Sequence, residues 1–441
     1  MMNNRSFTAL LTAAVSDWCA RQGIDFRGKT VLCAVSGGRD SMALLHVLLH
    51  LGTRQGFSVS AAHYNHRLRE SAVRDEALVR GWCGKKGIPL VTGSGDVRAY
   101  AKETGRSIED AARTLRYTFL SDAARECGAD FIATAHHRQD NAETLLLHLL
   151  RGSGLQGLGG IAPVRGKLVR PLLDVCRADI DGYIAENAIP YADDETNEDT
   201  VYTRNRLRLE LLPLLEAISP GSVNRIAAAA SLLRSDEEFL QKTAAALLPD
   251  GAAEIPISIL NAQEPPIAAR LVRMAAQNTG TELTLAQTEA VRNLRSGACL
   301  TLGGGVRAVR ENNLLRFYRL PDAAKPMKLS IGQQNWGAWR VTVFETAQEI
   351  PEDCRTVVLR GDCRDLVIAP WDGTGRLGVE NGRRTVKRLL ADHGIGAAQR
   401  ENCPAVYAAG QLAAVFGAGT EFSLRPQCDE RKIVIHLENE V

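Results

Sequence analysis

The stretch Ala34-Val35-Ser36-Gly37-Gly38-Arg39-Asp40-Ser41 (AVSGGRDS) decides how this chain is read. It closes a short β-branched run, Thr30 to Val35 (TVLCAV), and leads into an apolar run of helical period, Met42 to Leu51. Small residues at a strand-to-helix junction let successive backbone N–H groups converge into an anion nest. The helix behind the nest turns the positive end of its dipole toward the same point. Ser36 and Ser41 add hydroxyl donors, and no lysine stands in the loop, so it is not the G-x-x-x-x-G-K-[ST] Walker loop. The stretch predicts a phosphate cradle of another type.

Outward from this loop, strand signals recur at Ser58 to His63, Pro89 to Thr92 and Asp130 to Ala135, each after a helical segment. Strands separated by helices predict a parallel sheet covered on both faces. Ser107 followed by Asp110 predicts a capping box that opens a helix reaching about Glu126. An acidic polar loop from Asp193 to Asp199 precedes a helix carrying Arg204, Arg206 and Arg208, whose spacing spreads them over different faces. Val223 to Leu248 reads as a long Ala/Leu-rich connecting helix, so domains are placed at 1–219, 220–249 (linker helix), 250–320 and 327–441.

Composition sets the bounds. The 441 residues, 45% hydrophobic and 24% charged, belong to the globular range, and about 150 residues per domain suggests roughly three domains. A net charge of +2 gives no bulk argument for a polyanion partner, so any such surface is local. The basic residues are 43 Arg and 10 Lys, and the arginine fork suits bidentate phosphate contacts, although a GC-rich genome gives the same bias. Ten scattered cysteines without any C-x-x-C argue against a zinc ribbon, a redox dithiol or clustered iron–sulfur ligands. They point to a reducing, cytoplasmic location. Phe7 to Val15 behind Arg5 weakly mimics a signal peptide but reads better as a surface helix, and no apolar run reaches the ~20 residues that span a bilayer.

By sequence, the S-G-G-x-D-S loop resembles that of the PP-loop ATP pyrophosphatase superfamily, whose members cleave ATP between the α and β phosphates and adenylate a substrate oxygen. Further segments resemble one family within it, the tRNA(Ile)-lysidine synthetases, in that family's order. They are HYNHRLR (63–69), ARTLRY (112–117), ATAHHRQDNAET (133–144), RGSGLQGLGGI (151–161), RPLL (170–173) and TNEDTVYTRNRLR (196–208). Residues 385–419 are similar to the family's C-terminal domain only in outline. Gln139 departs from a usual pair of adjacent acids, which bears on how many carboxylates hold metal, and Gly396 to Gln399 replaces a Pro/Trp-containing stretch. The resemblance implies an α/β fold: a parallel-sheet PP-loop (adenine nucleotide alpha hydrolase-like) N-terminal domain, a linker helix and two smaller α+β C-terminal domains. It also implies ATP, Mg²⁺, L-lysine and an isoleucine tRNA with a CAU anticodon, with no membrane partner, and leaves a homodimer open. The reaction implied joins lysine to C2 of the wobble cytidine through an adenylated cytidine, so that the anticodon reads AUA in place of AUG.

The residues divide accordingly. Ser36, Gly37, Gly38, Arg39, Asp40 and Ser41 are expected to hold the nucleotide, with Asp40 and Asp140 on Mg²⁺, since carboxylates are hard oxygen ligands. Asp140, His136 and His137 stand at a strand end that faces the phosphate loop if the sheet is parallel. Asp140 also fits a helix N-cap, and Glu143, three residues on, is a third ligand, a cap or a substrate contact. Arg113 and Arg116 share a helix face that clamps phosphate or the developing AMP, or else pairs with Glu109 as a solvated face. His63, Asn65, His66 and Arg69 bind the flipped cytidine or lysine, or order their loop; Arg204 and Arg206 are set against the RNA.

The lysine amine, with pKa near 10.4, needs a base or a desolvating pocket, and the acidic 193–199 loop either attracts its ammonium or is a solvated surface loop. The glycine-rich 151–161 stretch would let backbone approach nucleotide or RNA closely. Arg383, Arg384, Lys387 and Arg388 form a local basic cluster that either suits nucleic acid or is a solvated face, while Trp336, Trp339 and Trp371 read better as core than as stacking platforms. A PP-loop tRNA thiolase, another adenylating N-type ligase and a nucleotide-sensing RNA-binding protein without turnover are the competing readings.

Overall fold

The computed structural model describes residues 6–67, 72–192, 203–311, 313–319, 324–380, 382–395, 400, 403–427 and 430–439. They form two compact units, 1–239 and 240–441.

The first unit runs α1 (Phe7–Gln22), β1 (Thr30–Ala34), α2 (Arg39–Gln55), β2 (Ser58–Asn65), α3 (Ala72–Lys86), β3 (Leu90–Ser94), α4 (Val97–Thr104), α5 (Ile108–Glu126), β4 (Phe131–Ala133), α6 (Arg138–Leu150) and α7 (Leu155–Leu158). The short β5 (Val164–Arg165) and β6 (Leu168–Val169) follow, then α8 (Arg177–Glu186), α9 (Thr203–Arg206), a π-helical turn at Leu207–Leu211, α10 (Leu212–Ile218) and the long α11 (Ser222–Ala245), whose residues from Leu240 on belong to the second unit. The sheet order is β3-β2-β1-β4-β6-β5, parallel except for the edge pair β5/β6. β1 is the central strand, and its apolar run TVLCA is what a strand covered on both faces requires. Val31 and Cys33 pack on one face with Leu11, Trp18, Leu44 and Tyr183; Leu32 packs on the other with Leu120 and Ala124.

Chain order reverses between β1 and β4, and such a switch point opens a crevice at the carboxyl ends of the strands. The loop after β1 and the loop after β4 both end there. Phe7 to Val15 lies in α1, an amphipathic helix that buries Leu11, Val15 and Trp18. Ser107 caps α5 by accepting the Asp110 N–H, and its hydroxyl donates to the Asp110 carboxylate at 2.7 Å. Among the described residues no helix is long and apolar enough to cross a membrane.

The second unit carries three further cores. One joins β7 (Glu254–Pro256), α12 (Ile257–Asn261), α13 (Pro265–Gln277), α14 (Leu285–Arg292), β8 (Cys299–Thr301), β9 (Val306–Glu311) and β10 (Leu314–Arg319) around Leu271, Val306 and Phe317, with the four strands antiparallel in the order β7-β10-β9-β8. The other two lie under antiparallel sheets between 327 and 439, with one helix of note, Val386–Asp392. Trp336 and Trp371 are buried there, as expected of core residues.

Candidate active site

The Ser36–Ser41 loop is built by its own side chains. The Ser41 hydroxyl donates to the Gly38 carbonyl at 2.8 Å and accepts the Ser36 N–H at 3.1 Å, while the Ser36 hydroxyl accepts the Gly38 N–H at 3.2 Å. Gly37 sits at φ +93°, a conformation closed to L side chains. Gly38 is the N-cap of α2, so the helix starts at Arg39, earlier than the apolar run alone indicated. Asp40 therefore stands in the first turn, beside the positive end of the helix dipole.

After β4, His137 and not Asp140 is the N-cap of α6. Its Nδ1 accepts the Gln139 N–H at 3.2 Å, and Asp140, at the third helical position, accepts the His137 N–H at 2.9 Å. The expectation that Asp140 caps the helix is corrected: the imidazole takes that place and leaves the carboxylate to close the box from inside. His137 Nε2 lies 3.8 Å from Asp40 Oδ2 and 3.7 Å from Asp140 Oδ2, so the two acids converge on one nitrogen of a buried ring. A pair of hard oxygen donors beside a hydroxyl-lined cradle is a donor set that fits magnesium and nucleotide phosphate.

His136, half-buried, bonds Thr134 Oγ1 through Nδ1 at 3.0 Å. Burial first, then the cations Arg170, Arg116 and Arg204, push it down to about 3 against the pull of Asp140. It is neutral at physiological pH. Asp140 is held low despite burial, by His137, His136, Arg204 and Arg208.

Glu143 is fully buried, and guanidinium groups take both its oxygens. Arg208 reaches Oε1 through Nε at 2.7 Å and Oε2 through Nη2 at 3.0 Å, and Arg204 Nε reaches Oε2 at 3.1 Å. Arg208 Nη2 also bonds Asp140 Oδ1 at 2.9 Å. The expectation of Glu143 as a third metal ligand or a cap is corrected on this ground. Arg204 and Arg208, four apart, share one face, contrary to the expected spread; Arg206 points elsewhere and pairs with Glu210 at 3.3 Å.

A second cluster lies beside His136. Arg113 and Arg116 stack over the Tyr117 ring, with guanidinium carbons 5.1 and 5.3 Å from its centroid, in place of pairing with Glu109. Arg170 is buried and donates to the Ala162 carbonyl. Burial raises the Tyr117 phenol, but Arg116, Arg113 and Arg170 outweigh it and leave it lowered. Among the described residues no carboxylate pairs with Arg113, Arg116 or Arg170. Arg116 and Arg170, desolvated and without carboxylate partners, and the exposed Arg113 beside them make a site for an anion.

Other expected residues are engaged by partners within the protein. The Arg39 side chain turns from the loop to Asp181 at 2.9 Å and to the Tyr191 ring. His63 is buried and its Nδ1 donates to the Val35 carbonyl at 2.9 Å, which anchors the end of β1. Asn65 donates to Glu76 at 3.2 Å and accepts the Arg67 N–H, and His66 lies edge-on to Tyr64, so this segment orders its own turn. Arg69, the acidic 193–199 loop and Gly396 to Gln399 lie outside the described residues. In the glycine-rich stretch, a Cβ on Gly160 would stand 2.2 Å from Asn141 Oδ1, which accepts the Ile161 N–H; the glycine there serves packing against α6 and not approach to a ligand. In the second unit, Arg383, Arg384, Lys387 and Arg388 are all exposed, with Arg383 3.7 Å from Glu421 and Arg384 3.5 Å from Asp392.

Sequence reasoning singled out His137 and Arg208 without assigning either a role in the site, and gave none to Tyr117, Arg170 and Arg177. The signal for Arg208 was present: acids at i, i+3 on α6 and arginines at i, i+4 downstream form complementary faces. Nothing local announced Arg177, whose Nη1 lies 3.1 and 3.0 Å from the two Asp40 oxygens across 137 residues of chain.

Residues 7–215 match the family model of the PP-loop domain, and residues 369–437 match that of the TilS substrate C-terminal domain. Among curated proteins, the tRNA(Ile)-lysidine synthase of Thermotoga sp. (strain RQ2) is 41% identical over 219 residues, 49% of this chain and 52% of that protein. The protein of that name from Petrotoga mobilis is 43% identical over 43% of this chain and 61% of its own length. That from Deinococcus deserti is 33% identical over 80% of this chain and 66% of its own. The first two matches span little more than half the length of those relatives.

Proposed function

Belonging to the PP-loop family through residues 7–215 and carrying the TilS substrate C-terminal domain at 369–437, the chain is, we propose, an ATP-dependent tRNA-modifying ligase. It joins the side-chain amine of L-lysine to C2 of the wobble cytidine in the CAU anticodon of an isoleucine tRNA. ATP becomes AMP and pyrophosphate. Exchange of the 2-oxo oxygen for an amine needs a leaving group better than oxide, and transfer of AMP to that oxygen supplies one. The observation that carries the reading is the convergence of Asp40, from the nest after β1, and Asp140, from the loop after β4, on His137 Nε2 at the switch point of the sheet.

The serine-lined nest and the start of α2 bind the polyphosphate, and Asp40 with Asp140 would hold Mg²⁺, which supplies charge neutralisation there. Arg113, Arg116 and Arg170 receive the anionic phosphate of the nucleotide as charge develops on it. His136, kept neutral beside these cations, adds no positive charge to the site. An anticodon base is presented unstacked at little cost, which suits a base-edge reaction in a crevice. The exposed arginines at 383, 384 and 388 with Lys387 supply salt-sensitive contacts to the RNA backbone.

The test is incorporation of radiolabelled lysine into an isoleucine tRNA transcript with a CAU anticodon, with magnesium ATP, against a methionine tRNA with the same anticodon. Label in the first alone is expected. Absence of label in both, from folded protein that binds ATP, refutes the lysine ligase.

A further inference from the structure

The position of Arg177 at the nest is not explained by the fold or by the roles given above. It is the first residue of α8, and its side chain is 37% exposed, so it has room to move. Nη1 straddles the Asp40 carboxylate at 3.1 and 3.0 Å, while Nε on the other edge of the same guanidinium lies 3.3 Å from Asp181, one turn along the helix. Asp181 is itself held by Arg39 at 2.9 Å. One edge of the fork is therefore tethered away from the cradle and the other covers the carboxylate that faces it.

A divalent cation on Asp40 and a guanidinium across both its oxygens repel one another. Asp40, which converges with Asp140 on His137 Nε2, also needs a positive neighbour whenever no metal is present. When a nucleotide polyphosphate enters with its metal, it brings both the cation that replaces Arg177 on Asp40 and the anion that Arg177 can bind. Turning about the Asp181 tether exchanges the two without carrying the guanidinium out of the site.

We infer that Arg177 is an exchangeable counter-ion: it occupies Asp40 in the nucleotide-free protein, excludes free divalent metal, and passes to the polyphosphate when metal and nucleotide arrive together. The inference rests on the ATP-using reading above. It makes metal binding depend on nucleotide, and so protects the cradle from metal alone.

The experiment measures two constants on the full chain without tRNA or lysine: Mn²⁺ binding to nucleotide-free protein by electron paramagnetic resonance, and magnesium ATP binding by calorimetry. For Arg177→Met, Mn²⁺ binding is expected to tighten about tenfold and magnesium ATP binding to weaken about tenfold, the loss of one charge-assisted contact. Opposite movement of the two constants is the signature, because a helix-pinning role would move neither or weaken both. Either constant unchanged while the parent binds magnesium ATP overturns the inference and leaves the ATP-using reading standing. No magnesium ATP binding by the folded parent overturns that reading, and the inference with it. If Arg177→Met melts too early to titrate, Arg177→Lys, which keeps charge and stem but not the fork, is expected to shift both constants in the same opposite directions by a smaller factor.

Discussion

Arg208 grips Glu143 through two nitrogens, at 2.7 and 3.0 Å, and the carboxylate so held is fully buried. The pair ties the π-helical turn to α6 and so fixes the same Arg208 nitrogen, Nη2, on Asp140 at 2.9 Å. The ionic network thus positions Asp140 from behind while His137 positions it from in front.

Removing the cation leaves a buried charge short of a partner. Arg208→Met is expected to lower stability by about 3 kcal/mol, toward the small end of the range for a broken buried pair because Arg204 remains on Oε2. Adding Glu143→Gln is expected to restore most of that loss. A double variant as unstable as the single one, by urea unfolding, would show that Arg208 acts through packing and not through Glu143.

His136 gives the fold an acid sensitivity. Its pKa is pushed from an ordinary 6.5 down to about 3, so below pH 6.5 the unfolded chain binds a proton that the folded one refuses. Stability then falls as pH falls through this window, by at most about 1.4 kcal/mol per pH unit. His63 and His46 are lowered too, by burial, and act in the same direction in parent and variant alike. Between pH 7 and 5 the parent is expected to lose up to about 2 kcal/mol more than His136→Asn. Equal losses from denaturant midpoints at the two pH values would contradict the assignment.

The two glycines of the nest are expected to differ. Gly37 lies at φ +93°, where an alanine costs about 1–2 kcal/mol of backbone strain, whereas Gly38 has φ −73° and its added Cβ would meet only Ser36 Oγ at 3.4 Å. Gly37→Ala should weaken ATP binding by about tenfold or more, and Gly38→Ala should melt like the parent. Calorimetric titration of both variants decides, and matching affinities would mean that the loop relaxes without cost.

The sheet and the nest were legible because their signals are local. TVLCA is an unbroken apolar run, and SGGRDS places small residues and hydroxyls where a strand hands over to a helix. Asp40 and Asp140 could be brought together on paper because both follow strands of one parallel sheet. What escaped was contact across long separations: Arg177 on Asp40, Arg208 on Glu143, Arg170 beside Tyr117. A charged residue carries no mark of its partner, so Glu143 read as a metal ligand when its oxygens belong to two arginines. The cap of α6 escaped for a different reason, since Asp leads His as an N-cap by preference, and only the geometry shows the imbalance reversed.

The arginine cluster sets stability against activity. Arg116 is half-buried with Arg113 and Arg170 close by, and among the described residues none of the three has a carboxylate to offset it. In the ligand-free fold Arg116 and Arg170 pay desolvation and feel their neighbour Arg113, while an entering phosphate reverses the sign of both effects. Arg116→Met, nearly isosteric along its stem, is expected to raise the melting midpoint of the free protein, by about 1 kcal/mol of stability, and to cut lysine incorporation by about a hundredfold or more. The gain should vanish when the melts are repeated at saturating ATP, because the parent alone then recovers the phosphate contact. A variant that is both less stable and fully active would show that Arg116 serves the α5 packing around Tyr117 and not an anion.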